Sequence, residues 1–505
     1  MMNLKPTAQT GHPQRSAISI AFAALAMLSG CANYSGISSD RHIEHIAGNQ
    51  VAQSLPEQHG HWPAPDWASQ FGDPQLDALI KEALQKNPSV DQAKARLDAA
   101  AAYTESAQAN TQAKVDAGYK VNREQYSANS WAPHPLGGSW QTENNAMLTA
   151  SYDLDMWGKN DEIVRSSVSK LKVNEAALQE VKLALSAAIA RKYNELARLY
   201  VQQDLVSEQL SQFEQMRSLS INRVHAGLDN EIEQRNVDLN IAGGRVSINA
   251  IDGRIVEVRY QLAALLGAAP DRGLQIDRPS LGTGRQTQLP DNLPADLLSR
   301  RPDIVMARWQ VDATTHDIKA AKSDFYPNIN LSAALGLDAF GFGRFLNRSS
   351  DASGAGPAIH LPIFDGGALR AQLTNKYADY DYAVASYNQT LIAALSDVAT
   401  QVARIRATDA QLMDAQRAAD AATKSWQLMN SQYKAGLNTL SGVIQAHIKA
   451  IAEQQSVTNL QMNRRDQQIS LAQALGGGFV DDSGAIGSAM SQPAGLAVPV
   501  TATAN

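Results

Sequence analysis

One cysteine in 505 residues excludes an internal disulfide, and with it any argument from a redox framework. Aromatic residues make up only 6% of the chain, too few for a thick globular core, while helix formers abound, so narrow Ala-rich helical seams fit the composition better. Charge is short as well. Only 19% of residues are charged, the net charge is −6 and the pI is about 6.0, and no Lys/Arg cluster is interleaved with aromatics, which argues against a nucleic-acid partner. The signatures GxxxxGK(S/T), HExxH and GxSxG are missing, as are paired cysteine ligands, so neither an enzyme nor a metal site is expected, and no cofactor is implied.

A long apolar run is also lacking. Residues 17–28, preceded by Lys5 and Arg15, are too short to span a bilayer as a helix but suit a secretory signal. The run closes with Leu28-Ser29-Gly30-Cys31, which looks like a bacterial lipobox, with a plain signal peptide as the alternative. On the lipobox reading, 1–30 is a lipoprotein signal peptide and Cys31 becomes the lipidated first residue, carrying palmitate-type chains. Ala32 rather than Asp follows it, which resembles lipoproteins sorted to the outer membrane. A single lipid holds weakly, so a second membrane element is expected. Residues 31–66, with Pro56, Pro63, Pro65, His42, His45, His59 and His61, form an arm or linker; the histidines lack ligand spacing.

What is present is a duplication. Ala226-Gly227-Leu228 recurs 209 residues later as Ala435-Gly436-Leu437, and Leu266-Gly267 recurs at the same distance as Leu475-Gly476. Asn87-Pro88 is echoed by Arg301-Pro302 at a distance of 214, so a few residues were gained or lost between. A repeat this long implies duplication of a half-domain rather than a solenoid. In about 160–224 apolar residues fall at steps of three, four or seven (Val164, Val168, Leu171, Leu178, Val181, Leu185 and onward), which predicts a helix on the order of 100 Å long. Its counterpart runs from about 368 to 433. Each ends at an Ala-Gly-Leu hairpin turn and is followed by another long helix, to about Leu266 and Leu475. The domains expected are a first repeat 67–267, a linker 268–290, a second repeat 291–476 and a disordered tail 477–505.

A soluble coiled coil would carry no strands, yet strands are indicated. Val115, Ala117, Tyr119 and Val121 alternate with polar residues, as do Ala146, Leu148, Ala150, Tyr152 and Leu154. The second half repeats this with Ile329, Leu331, Ala333, Leu335 and Leu337, and more weakly with Ala355, Pro357, Ile359, Leu361 and Ile363. Strands are therefore predicted at about 114–122, 145–156, 327–338 and 354–364. One apolar and one polar face over roughly ten residues suits a bilayer-spanning barrel. Four strands cannot close a barrel, and open edges in hydrocarbon would leave backbone groups unpaired, so several copies must share one wall.

The segments Trp67 with Phe71-Gly72-Asp73-Pro74, Asn87-Pro88, Leu298-Ser299-Arg300-Arg301-Pro302-Asp303-Ile304, Phe325-Tyr326-Pro327 and Pro362-Ile363-Phe364-Asp365-Gly366-Gly367, in this order and with the duplication and lipobox, resemble the outer-membrane efflux protein family, the TolC-like channel-tunnels, and within it the NodT-type lipoprotein branch. The resemblance covers the chain from Cys31 to about Gly478. It implies a mainly α fold with a small membrane β part: a homotrimer forming one 12-stranded β-barrel and a long α-helical barrel. It further implies a periplasmic membrane-fusion adaptor, an inner-membrane pump of the resistance-nodulation-division or major-facilitator type, and a lipid-anchored position in the cell outer membrane. The expected function is the exit duct of a tripartite efflux pump, passing drugs and toxic compounds passively. The alternatives are a type I protein-secretion duct and a non-conducting structural coiled-coil lipoprotein.

The family places adaptor docking at the tips, here Ala226, Gly227, Leu228, Ala435, Gly436 and Leu437. A glycine lets another backbone approach closely, and the leucines offer apolar contact. Relatives carry carboxylates past the tip glycine that narrow the aperture. Here the first half has Asp229, Glu231 and Glu233, whereas the matching second-half positions are Gly442 and Gln445. These acids equally suit a helix N-terminus. Arg223, Tyr433 and Lys434 flank the tips and are candidate partners for them.

Overall fold

Pro74 and Pro88 open the first two helices, α1 (Pro74–Lys86) and α2 (Pro88–Ala109), at positions where a missing N–H leaves no bond unmade. The computed structural model describes residues 34–44, 53–55, 60–129, 131, 133–228, 230–282 and 293–481. The signal peptide, Cys31, Asp229, parts of the arm and linker, and the tail beyond 481 lie outside the described residues. After α2 come strands β1 (Lys114–Gln125) and β2 (Trp140–Leu154), then α3 (Lys159–His225) and α4 (Glu231–Leu265). A short α5 (Pro270–Leu274) precedes α6 (Leu293–Arg300) and α7 (Pro302–Ser323). Strands β3 (Asn328–Phe340) and β4 (Asp351–His360) lead to α8 (Ala368–Lys434) and α9 (Leu440–Ala474).

The duplication is explicit in these lengths. Helices α2 and α7 have 22 residues each, α3 and α8 have 67, and α4 and α9 have 35. The 214-residue offset holds up to the starts of β1 and β3 and falls to 209 at the starts of α3 and α8, so the length change lies within the second hairpin, where β2 has 15 residues and β4 only 10. At 1.5 Å per residue, α3 and α8 are each about 100 Å long. Among the described residues no helix is long and apolar enough to cross a membrane.

The described residues pack as two units, and each draws on both halves of the duplication: those within 34–43, 98–172 and 308–386 form one, and those within 44–97, 173–307 and 387–481 the other. The first contains one antiparallel sheet of order β1-β2-β3-β4. The pairing of β2 with β3 joins the two repeats, so neither half owns a complete sheet. In the same unit the arm packs on α7 and α8: Tyr34 meets Phe325 edge-on at 5.5 Å, its hydroxyl lies 3.2 Å from that of Tyr326, and Arg370 donates to the Ser35 carbonyl at 3.1 Å. Tyr326 stacks on Trp157 at 4.6 Å, and the Trp157 indole N–H donates to the Pro327 carbonyl at 2.8 Å. The Phe-Tyr-Pro motif thus ties arm, helix and strand together.

The second unit has its main core between α1, α2, α3 and α4. Leu76, Leu79 and Ala83 face Ile189, Tyr193, Leu196, Val258 and Leu262. Each fully buried leucine contributes about 2 kcal/mol. Asp73 caps α1 and also accepts from the Tyr193 hydroxyl at 2.8 Å and the Ser280 N–H at 2.8 Å, which accounts for the Gly-Asp-Pro motif. The echoed dipeptides do matching work: the Asn87 amide donates to the Leu265 carbonyl at 2.8 Å, and Arg301 donates to the Ala474 carbonyl at 2.9 Å. In each half, the helix opened by proline is tied to the end of the long returning helix. Residues 477–481, expected to belong to a disordered tail, are instead bonded to the body. The Gly477 N–H donates to the Ala472 carbonyl at 2.8 Å, and that of Asp481 to Ser299 at 2.8 Å.

Candidate functional site

The strand register gathers the alternating apolar residues of all four strands on one face. Residues opposite one another across an antiparallel ladder share a face. Val115 pairs with Ala150, Ala150 with Ala333 and Ala333 with Ala355; Ala117, Leu148 and Leu335 form the next row, and Leu154, Ile329 and Ile359 another. All four alternating sequence patterns therefore fall on one face. The opposite face carries Lys114, Ser151 and Ser332 in one row and Lys120, Asn145 and Asp338 in another. The apolar face is open: Val115 is 63% exposed, Leu335 62% and Ile359 66%. Its strand ends carry the Trp140 ring at one end and Tyr152 at the other. Among the described residues β1 and β4 pair on one side only, leaving two rows of backbone donors and acceptors without a strand partner. The alternation expected in the fourth strand to Ile363 outlasts the strand, which stops at His360, before Pro362.

The tips are built identically. The Gly227 N–H donates to the Val224 carbonyl at 3.0 Å and that of Leu228 to Arg223 at 2.9 Å; 209 residues on, Gly436 donates to Tyr433 and Leu437 to Gln432, each at 2.9 Å. This is a Schellman cap, and it requires the positive φ of Gly227 and Gly436, 67° and 76°. A Cβ added at either glycine meets nothing within 4 Å, so both tips are open to another backbone. Ala226 and Ala435 are exposed, Leu228 is 71% exposed and Leu437 79%.

The aperture candidates divide. Asn230 caps α4 by accepting from the Ile232 N–H at 2.9 Å, which puts Glu231 and Glu233 in the first turn, where the helix dipole favours them. Glu231 pairs with Arg235 along its own helix at 3.3 Å. Arg223, Tyr433 and Lys434 are exposed. Thr439 caps α9, whose first turn holds no acid. Cys31 and Asp229 lie outside the described residues, but Tyr34, three residues after Cys31, is anchored on Phe325 and Tyr326 just before β3.

Two features escaped sequence reasoning. On α4, Ile232, Leu239 and Val246 recur every seven residues and are each about 70% exposed. Gly243 and Gly253 lie on the same helix with open space at the missing Cβ. Side-chain bonds order the helices of this unit α4, α3, α9, α8: Arg217 of α3 bonds Asp238 of α4, Asn194 of α3 bonds Asp466 of α9, and Arg464 of α9 bonds Asp409 of α8. The apolar residues thus lie on an outer helix. The second feature is a polar cavity of about 240 Å³ lined by Glu180, Arg301, Asp303, Asp397 and Gln473. Burial, with the Asp303 charge adding to it, pushes the Glu180 carboxyl above its usual range against the pull of Arg301. Arg301 itself forks onto Asp303 at 2.7 and 3.0 Å, so the cavity braces the helix ends.

The outer membrane efflux protein family model matches residues 79–268 and 293–477. The multidrug resistance outer membrane protein MdtP of Escherichia coli is 29% identical over 462 residues, covering 90% of this chain and 94% of that protein. The fusaric acid resistance protein FusA of Burkholderia cepacia is 35% identical over 317 residues, 62% of this chain and 59% of FusA. Among solved structures, the outer membrane protein VceC of Vibrio cholerae matches with a TM-score of 0.75 and 33% identity, over 83% of this chain and all of that one.

Proposed function

Because the chain belongs to the outer membrane efflux protein family, we propose that it is the outer-membrane exit duct of a tripartite pump, passing small toxic molecules passively and without catalysis. The observation that carries this is the two-faced sheet with free edges. Bonding β4 of one copy to β1 of the next pairs the backbone groups that hydrocarbon would otherwise leave unmatched, at several kcal/mol each. Three copies of four strands make a 12-stranded barrel, wide enough for a water-filled lumen lined by the polar face. The shortest strand, β4, has ten residues, sufficient for a tilted crossing.

The helices support the same mode of association. The seven-residue stripe on α4 lies at one edge of the four-helix layer, and the other edge helix, α8, exposes Ile392, Met413 and Leu428. Packing α4 of one copy on α8 of the next buries both and would close the helical layers into a barrel of their own. The open glycine tips accept a periplasmic adaptor linked to a resistance-nodulation-division or major-facilitator pump. Cys31 carries the lipid, and the docking of Tyr34 beside β3 supports an anchor close to the sheet. The resistance functions named for MdtP and FusA support drugs and toxic organic compounds as cargo.

Purified protein tests the whole reading in two measurements: mass by light scattering in detergent and conductance in planar bilayers. A trimer that conducts is expected. A stable monomer without conductance would overturn the duct and favour a structural spacer.

A further inference from the structure

We propose that the loop between β3 and β4 is a docking surface for phosphorylated lipid of the outer leaflet, an inference that rests on the apolar face being the membrane face. The loop, 341–350, contains Arg344 and Arg348, no acid, and two large apolar side chains left in the open, Phe342 at 66% and Leu346 at 83% exposure. Its position is fixed. The Gly341 N–H donates to the Thr142 carbonyl at 2.7 Å, and Thr142 is the register partner of Arg123. Phe345 then packs on Tyr119 at 5.7 Å, and Tyr119 lies on the apolar face. Asn144, on that same face, is fully buried and accepts from the Tyr119 hydroxyl at 3.1 Å.

The loop therefore folds over the apolar face and does not stand away from it. It is also internally braced: the Ser350 hydroxyl donates to the Arg344 carbonyl at 2.8 Å and the Asn347 N–H to the same oxygen at 3.0 Å. Arg123 joins the set from β1, where its guanidinium lies 6.0 Å from the Trp140 ring centroid, both on the apolar face. Arg344 and Arg348 are exposed on the loop and Arg123 lies on the apolar face, where Asp351 is the carboxylate at this level, as the register partner of Leu337; Glu124, Glu143 and Asp338 fall on the opposite face. Exposed apolar side chains next to exposed loop arginines at the end of a lipid-facing sheet match an amphiphile with acyl chains and phosphate. Arginine's fork suits the phosphate, and the rings suit the boundary between chain and headgroup.

The test uses the full-length trimer extracted from outer membranes in mild detergent. Retained lipid A per chain is measured by mass spectrometry for the wild type and for Arg344→Gln/Arg348→Gln, with and without millimolar inorganic phosphate in the wash. In parallel, a nitroxide at Leu335→Cys in phosphatidylethanolamine vesicles reports whether the face meets lipid. The expected result is roughly 30-fold less lipid A on the variant, from the loss of two cations near an anionic surface, and no displacement by phosphate. Equal retention by both proteins, or displacement by inorganic phosphate, overturns the lipid site even when the Leu335 probe lies in lipid. A Leu335 probe in water overturns the membrane reading beneath it.

Discussion

Two glycines with the same backbone geometry should respond very differently to the same substitution. Gly436, at the second tip, and Gly476, at the end of α9, both close Schellman caps with φ of 76° and 86°. Alanine in that conformation costs about 1–2 kcal/mol, because its Cβ crowds the following carbonyl. At Gly436 that is the whole penalty, since nothing lies within 4 Å of the added carbon. At Gly476 the carbon would stand 1.8 Å from the Arg300 carbonyl oxygen and 2.8 Å from its carbon, both backbone atoms. That segment cannot easily yield, because Arg301 is tied to the Ala474 carbonyl and forked onto Asp303. Overpacking adds about 1–3 kcal/mol, so Gly476→Ala should lose roughly 2–5 kcal/mol against about 1–2 for Gly436→Ala. Denaturant unfolding of the solubilised protein, followed by circular dichroism, measures both. Equal losses would refute the claim that the tip is open. Gly436→Trp separates stability from docking: the proposed trimer should assemble, because nothing lies near the added carbon, and export should fail, because a partner backbone can no longer approach. Normal export by Gly436→Trp would remove the tip from the docking surface.

Neighbouring strand residues test the two faces: Leu148→Arg should lose about 2–4 kcal/mol of membrane insertion and leave the outer-membrane fraction, while Thr149→Arg, on the polar face, should be found there in normal amount. Arg301→Ala leaves the Ala474 carbonyl without this donor and Asp303 with the Ile304 N–H alone, so a loss of about 1.5–3 kcal/mol in denaturant unfolding is expected, and lysine, lacking the fork, should not restore it. Glu180 binds its proton more tightly in the folded state, so its ionisation lowers stability as pH rises from the ordinary glutamate range through the raised value. Glu180→Gln should therefore raise the unfolding midpoint at neutral pH and give no gain below the ordinary glutamate pKa; a gain that persists in acid would refute the assignment.

The long helices were legible because their stops are chemical. Helices expected over about 160–224 and 368–433 span Lys159–His225 and Ala368–Lys434, and each ends where a glycine takes positive φ. The strand faces were legible from alternation, but the strand ends were not. β1 runs on to Gln125 and β2 starts at Trp140 instead of near 145, through Arg123-Glu124-Gln125 and Gln141-Thr142-Glu143. There both faces are polar and the period of two disappears, while the backbone ladder continues. In the fourth strand the error reverses: Leu361 and Ile363 keep the alternation, but Pro362 cannot donate to a ladder. The ion pairs at the tips were beyond reach for another reason. Glu231 had several cations within range by sequence, and the partner it takes, Arg235, follows from the helical spacing that begins only once Asn230 sets the cap.

The pairing of β2 with β3 was the least accessible feature and has the largest consequence. A duplicated half-domain could in principle fold as two equal bodies, each with its own hairpin. Here Leu148 of the first repeat faces Leu335 of the second across a shared ladder, and the packing units cut across the repeats. The junction within the chain already shows how a second hairpin of the same pattern is received: antiparallel, in register, apolar row against apolar row. The free edges of β1 and β4 offer the same pattern to the next copy. In the proposed assembly, the rule that joins the halves of one chain would also join chains, and a ring of such copies would leave no strand edge in hydrocarbon.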